Sequence, residues 1–477
     1  MKINYVVFIF IILTVILFSE DGLAINFYKG SLHQHTGFST VGGYDSNPFT
    51  NSDNCLPIGL EGHLIGYEVQ ELADEAANLG LDYLGFSDHS YCIDAGEFGT
   101  VRNDCVNARN STFTCLMGEE LSTQDISGDN ENLFSCYTGS TGPGEAHIGG
   151  YGLSSLISQT PSAVHCPSGP SAQSGVNSIA SQGGISILNH PHPSSSTTTF
   201  LDFESIYSVS GYDGVEIWNG NFTSDSLDDD ADNFNAWYNL LQQDERVYAY
   251  GGTDEHGHVS DINYNYVPAS TITHSNIQSA LAAGTNVVSN NGYVIIEAKK
   301  NSQSTWTQMG GEVSANTNDI LNMRITYDLD HSCTLRVYKS TIGSNLELTH
   351  YGPVNISGSS SPITLPNLAL ANPGDTYFRA ECIGSGGTYR TYTNPIWVSV
   401  LSSSCQCSNW VSGSCGGGGC GEGQRLETRT CTPSGCNAQT RCVNDASCSG
   451  AGGGNSTCTE PGYEYCTTNS FGNCDVT

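Results

Sequence analysis

Leu81-Asp82-Tyr83-Leu84-Gly85-Phe86-Ser87-Asp88-His89 is a short apolar run that ends in a carboxylate and an imidazole. Just upstream, Ile65, Val69, Leu72, Ala76 and Leu79 recur at helical spacing, and Gly80 supplies a stop. Helix, short strand, polar end is the unit of an α/β fold. Similar strands return at Ile185 to Leu188, Val215 to Trp218 and Val247 to Tyr250. Polar groups follow each of them: Asn189-His190, then Asn219, then Asp254 with His256. Functional groups at the C-terminal ends of successive strands are the arrangement of a β/α barrel. An open parallel sheet is the alternative.

Composition divides the 477 residues further. Residues 25–290, the barrel segment, hold 11 of the 13 His. Residues 291–402 read as strands separated by Gly, Asn, Ser and Pro, for example Leu335-Arg336-Val337-Tyr338 and Tyr377-Phe378-Arg379-Ala380. That is the pattern of an all-β sandwich. Its two cysteines, Cys333 and Cys382, are expected to pair. Residues 405–474 carry 11 of the 19 Cys, too few apolar residues for a core without disulfides. They form a small disulfide-rich module over 403–448 and a Cys/Gly-rich tail over 449–477.

The N-terminus has the form of a secretory signal. Lys2 precedes the apolar run Val6 to Phe18, and Gly22-Leu23-Ala24 places small residues for cleavage after Ala24. The run is shorter than the roughly 20 residues of a membrane span. Cysteine usage without any C-x-x-C agrees with an oxidising, extracytoplasmic location, secreted or at the cell surface. No membrane span is expected after signal cleavage. Sequons for glycosylation stand at Asn110, Asn221, Asn355 and Asn455.

Charge narrows the function. The formal net charge is −33, with 15 Lys plus Arg against 48 Asp plus Glu. Binding to a nucleic-acid polymer needs basic clusters and is therefore not expected. Between residues 25 and 290 the only Lys or Arg are Lys29, Arg102, Arg109 and Arg246.

The histidines suggest metal. His33 and His35 stand at i and i+2, so on a strand both imidazoles face one way. Asp254 and His256 repeat that spacing. His89 and His190 each follow an apolar strand, His147 follows a Gly-rich loop, and Glu119-Glu120 offers a bridging carboxylate. Any one of these could be structural; their joint placement at strand ends points to a multi-metal site. Glu216 and Asn219 are expected to shape the pocket or support ligands, and His192 and His258 to line it. The run Asp228-Asp229-Asp230-Ala231-Asp232 lacks calcium-loop spacing and suits a helix N-terminus.

These residues resemble the polymerase and histidinol phosphatase family. Ser31-Leu32-His33-Gln34-His35-Thr36 is similar to its opening motif, and Phe86-Ser87-Asp88-His89 to its second. Gly118-Glu119-Glu120, His190-Pro191 and Gly252-Thr253-Asp254-Glu255-His256 are similar to its later ones. Within the family, the likeness is to exported proteins of the carbaryl-hydrolase-like branch. Val215-Glu216-Ile217-Trp218-Asn219-Gly220 supports it, as does Tyr392-Thr393-Asn394-Pro395-Ile396-Trp397-Val398 at the close of the β-segment. The resemblance covers about residues 26–400. It implies a distorted (β/α)7 barrel with two or three divalent ions, zinc, manganese or iron, at the strand ends. One ion would take His33, His35, Glu120 and Asp254. A second would take Glu120, His147 and His190. A third would use His89 and His256. The Ser-Asp-Gly that often follows the first motif is absent from Ser39-Thr40-Val41-Gly42-Gly43; Asp45 is a substitute.

The implied activity is metal-dependent hydrolysis of a small-molecule ester, a phosphoester first, with carboxylic or carbamic esters beside it. Asp88 and His89 are the candidate catalytic residues, Asp88 as proton acceptor or as a support for a ligand His. A carboxylated-Lys metal bridge is impossible, since residues 30–298 contain no Lys. Gly152-Leu153-Ser154-Ser155-Leu156 misses the last Gly of a nucleophile elbow. The second expectation, from another class, is a cell-surface adhesion or binding protein that holds metal without turnover.

In the terminal module, Cys407-Ser408-Asn409-Trp410, Cys420 and Arg425 to Cys431 resemble a thrombospondin type-1 repeat. Arg425, Glu427 and Arg429 share a strand face, so Trp410 is expected to stack between the two guanidinium groups. A surface or glycan partner and simple disulfide scaffolding are equal readings of this module.

Overall fold

Val69, Leu72, Ala73 and Ala76 form the buried face of helix α1 (Val69–Asn78), the spacing already visible in the sequence. Helix α2 (Ala95–Ala108) opens on Asp94. Its carboxylate accepts from Gly96 N and Glu97 N, and Glu97 returns a bond to Asp94 N at 2.8 Å. The N-terminal donors of the helix are thereby satisfied. The computed structural model describes residues 26–38, 68–90, 93–123, 146–157, 170–191, 209–220, 227–256, 258–260, 262–344, 346–359, 362–401, 406–416, 420–421, 423–432, 438–448, 467–468 and 474–475. The signal segment, Asp45, His192, Asn221, Asn455 and most of the tail lie outside them.

Seven strands close a barrel: β1 (Asn26–His35), β2 (Tyr83–His89), β3 (Thr114–Thr123), β4 (Ala146–Tyr151), β5 (Ile185–Leu188), β6 (Gly214–Asn219) and β7 (Tyr248–His256). Each pairs with the next, and β7 returns to β1. Leu32, Tyr83, Leu116, Tyr151, Ile187 and Tyr250 pack as one apolar cluster drawn from six of these strands' flanks. The ring of Tyr83 lies where a Cβ on Gly30 would be, 2.3 Å away, so this packing depends on glycine there.

The expectation of an α/β, distorted (β/α)7 barrel is corrected by this topology. Strand β4 runs antiparallel to both β3 and β5. Only five α-helices occur among the described residues: α1, α2, α3 (Ala172–Ser181), α4 (Leu227–Gln242) and α5 (His274–Ala282). The molecule is mostly β. The sequence hid β4 because Ala146-His147-Ile148-Gly149-Gly150-Tyr151 follows a Gly-rich stretch and carries two glycines of its own, which weaken a strand pattern. Packing explains those glycines. A Cβ on Gly149 would lie 2.6 Å from Asn189 Oδ1, and one on Gly150 would lie 3.0 Å from Ile179 Cδ1.

An all-β segment follows, but it does not stand apart as a sandwich. Strands β8 (Tyr264–Ala269) and β9 (Val287–Ser289) extend the barrel sheet, and β9 continues into the later strands. These are β10 (Tyr293–Lys300), β11 (Thr307–Gln308), β12 (Glu312–Asn316), β13 (Ile320–Thr341), β14 (Glu347–Ser359), β15 (Ile363–Thr364), β16 (Leu368–Ala369), β17 (Gly374–Gly384), β18 (Arg390–Thr393) and β19 (Ile396–Leu401). Their own core includes Val294, Ile296, Leu321, Ile325, Leu335 and Val398. Cys333 and Cys382 are disulfide-bonded, as the sequence suggested. Buried Arg379 is clamped by Glu347, with Nε 2.7 Å from Oε1.

The terminal module contributes β20 (Gln406–Cys407), β21 (Val411–Cys415), β22 (Gln424–Arg429), β23 (Cys431–Thr432) and β24 (Gln439–Asn444). Disulfides join Cys407 to Cys431, Cys415 to Cys448 and Cys420 to Cys442. Trp410 does stack between two guanidinium groups, each 4.4 Å from its ring, but they belong to Arg429 and Arg441. Arg425 instead pairs with Asp445 at 2.5 Å. The module rests on the barrel, Asn444 Nδ2 donating to Gly211 O at 2.8 Å.

Candidate metal centre

Two irregularities build this site. On the β2 side, β1 has one residue too many between Ser31 and Gln34. On the β1 side, β7 has one too many between Gly252 and Glu255. The bulged stretches contain His33 and Asp254, whose φ angles are 58° and 53°. His190, just past β5, has φ 27°. Positive φ costs a non-glycine residue about 1–3 kcal/mol unless its surroundings hold it. Three such residues converge here, which marks the strand ends as a place where side-chain direction outweighs backbone ease.

Glu120 of β3 is fully buried and lies at the centre. Its Oε1 is 3.0 Å from His33 Nε2, 3.1 Å from His147 Nδ1 and 3.2 Å from His190 Nε2. Its Oε2 is 2.8 Å from His89 Nδ1 and 3.6 Å from His35 Nε2. Asp254 Oδ1 is 3.3 Å from His33 Nε2 and 3.2 Å from His35 Nε2. His256 Nε2 faces His89 Nε2 at 3.2 Å. Three groups could each hold a metal ion: His33, His35, Glu120 and Asp254; Glu120, His147 and His190; and His35, His89 and His256. Within each group the ligand atoms lie within 4.8 Å of one another.

The electrostatics suit a cation. Burial pushes the His33 imidazole down, yet Asp254, Glu120 and Glu216 outweigh it and hold its pKa well above the ordinary value. What draws a proton to that ring also draws a metal ion. Burial, then His256 and His89, hold His35 well below the ordinary value, leaving a neutral ring with a lone pair to donate. Burial likewise raises the Glu120 carboxyl, but His147, His33 and His89 overcome it and keep it ionised. The donors are imidazole nitrogen and carboxylate oxygen, without sulfur, a set that can hold a divalent metal ion.

A second layer aims the ligands. Glu216 Oε1 is 2.9 Å from His33 Nδ1, and its Oε2 accepts from His190 N at 2.8 Å and from Asn219 Nδ2 at 2.9 Å. Glu216 thus contacts His33 and His190, two of the candidate ligands, and Asn219 contacts Glu216. The Asp88 carboxylate accepts from Thr36 N and Thr36 Oγ1, both at 2.8 Å, which ties the end of β1 to β2. Glu119, beside Glu120 on the alternating strand, accepts from Ile157 N at 3.1 Å, and burial pushes its carboxyl up to about 8. It belongs to the supporting structure. His258 does not line the pocket as expected; its side chain is 78% exposed and 3.7 Å from Glu75 of α1.

Two participants escaped the sequence reading. Asn189 Nδ2 donates to Glu120 Oε1 at 3.0 Å, and the Tyr151 hydroxyl accepts from His33 N at 3.0 Å. Asn189 was visible at a strand end beside His190 but drew no role. Tyr151 lies in β4, a strand with no assignment from the sequence.

No family model matches the chain, and no curated protein matches it. Among solved structures, the PmoD soluble domain from Methylocystis sp. ATCC 49242 (Rockwell) matches over 22% of this chain and 90% of its own. The identity is 12% and the TM-score 0.16, a likeness too slight to bear on fold or function.

Proposed function

We propose that the chain is an exported metal-dependent hydrolase acting on ester bonds, small phosphoesters first and carboxylic or carbamic esters second. The carrying observation is the buried Glu120, shared by two of the donor groups gathered at the strand ends. Asp254, His190 and His256 are the partly exposed members, so approach from solvent is on their side. Divalent ions bound there, two or three of them, supply Lewis acidity and bring the pKa of water toward neutrality. Glu216, Asn219, Asn189 and Asp88 keep the ligand side chains aimed. With only two ions bound, His89 and His256, whose Nε2 atoms lie 3.2 Å apart, would be available to move a proton.

The cations of the barrel segment support a metal-centred role. Lys29 lies 3.8 Å over the ring of Tyr264, Arg109 binds Cys115 O at 3.0 Å, and Arg246 pairs with Glu312 at 2.8 Å. Arg102 is exposed on α2. Any substrate charge would therefore fall to the metal. Five disulfides among the described residues fit an oxidising compartment. No described helix is long and apolar enough to cross a membrane.

The test is metal analysis followed by assay on p-nitrophenyl phosphate and p-nitrophenyl acetate. Turnover that disappears together with metal in His33→Ala/His35→Ala is the expected result. A protein loaded with two or more ions yet inert on every ester would refute the enzyme and leave the metal-holding binding protein.

A further inference from the structure

Strand β7 carries Asp254 and His256, but among the described residues its first half has no hydrogen-bonded strand on one flank. Among the described residues, β1 pairs with β7 only from Gly252 onward, because the earlier part of β1 pairs with β8. Backbone groups left unpaired in a core are costly. Here asparagines take the place of the missing strand. Asn394 Oδ1 accepts from Ala249 N at 2.6 Å, and Asn286 Nδ2 donates to Ala249 O at 2.9 Å. Asn265 both accepts from Gly251 N at 3.0 Å and donates to Gly251 O at 2.7 Å. Asn263 Nδ2 donates to Gly252 O at 2.8 Å.

Three of the carboxamides also bond in series. Asn394 Nδ2 donates to Asn286 Oδ1 at 2.9 Å, and Asn286 Nδ2 to Asn265 Oδ1 at 3.1 Å. All four residues are fully buried. An Asn side chain offers two donors and a two-lone-pair acceptor, so it can bond the backbone as a peptide group would and still reach the next carboxamide. Asn394 does not come from the barrel: it stands between β18 and β19, in the later β-segment.

We propose that Asn394, Asn286, Asn265 and Asn263 are positioning residues for the metal centre. They set the course of β7 and, through it, the placement of Asp254 and His256. The later β-segment thereby supplies part of the centre's support. The proposal rests on the metal-centre reading above.

Cobalt(II) is the probe, with its affinity and visible absorption as readouts and the melting temperature of metal-free protein as control. Wild type is compared with Asn394→Ala, Asn263→Ala and Cys333→Ala/Cys382→Ala. Both Asn variants should bind cobalt about tenfold more weakly or worse and shift its absorption. The Cys pair should lower the melting temperature while leaving cobalt affinity and spectrum as in wild type. Wild-type cobalt binding in both Asn variants would overturn the proposal. So would a Cys pair that loses affinity as much as they do, since the loss would then track stability alone. If Asn394→Ala fails to fold, Asn263→Ala decides by itself. A wild type that takes up no cobalt, zinc or manganese would remove the metal centre, and this proposal with it.

Discussion

The Glu216 carboxylate lies 2.9 Å from His33 Nδ1 and thereby selects Nε2 as the nitrogen that faces Glu120. The same carboxylate accepts from His190 N, so one side chain orients ligands of two of the candidate groups. Glu216→Ala should weaken metal binding by about 10- to 100-fold without emptying the site of ligands. Competition with a chromophoric chelator measures this; unchanged affinity would contradict the role.

Metal should also stabilise the fold. At a free concentration 100 times its dissociation constant, a ligand that binds only the folded state adds about 2.7 kcal/mol. A chelator should therefore lower the melting temperature of the wild type. In His33→Ala/His35→Ala, which leaves only Glu120, His147 and His190 as a complete group, the chelator should have a clearly smaller effect, which calorimetry with and without it will show.

Gly252 has no room for a side chain. A Cβ there would lie 1.8 Å from Glu216 Oε1 and 2.7 Å from His33 Cβ. Gly252→Ala should cost about 1–3 kcal/mol by overpacking, and it should reduce metal content by displacing the two residues it meets. Denaturant unfolding and elemental analysis of the same sample check both effects.

In the terminal module, hydrogen bonds from Ser447, then from Arg425, hold the Asp445 carboxyl at about 2. A depressed carboxyl stabilises the fold above its unfolded value, and that contribution fades as pH falls toward the folded one. Asp445→Asn should therefore be less stable than wild type at pH 5, and the difference should vanish near pH 2. Melting curves of the two proteins at both pH values decide it.

What the sequence disclosed was which side chains gather: His33, His35, His89, Glu120, His147, His190, Asp254 and His256 all reach one region. Short apolar strands ending in polar residues carry that information locally. Strand direction does not appear locally, so β4 was missed and the barrel was assigned the wrong architecture. Gly149 and Gly150 look like a turn until the neighbours that leave no room for a Cβ are known. Partners across strands were equally hidden. Period-two alternation put Arg425 and Arg429 on one face, yet the register that sets Glu427 opposite Arg441 is what brings Arg441 to Trp410.

Strand β9 pairs with β8 on one side and with β18 on the other. Barrel and later β-segment therefore share an edge-free seam, not a hinge. Loss of either would leave the other with an open strand edge, the surface through which β-proteins aggregate. The two are expected to melt in one cooperative step, and a fragment cut near residue 290 would be prone to self-association instead of behaving as a stand-alone barrel.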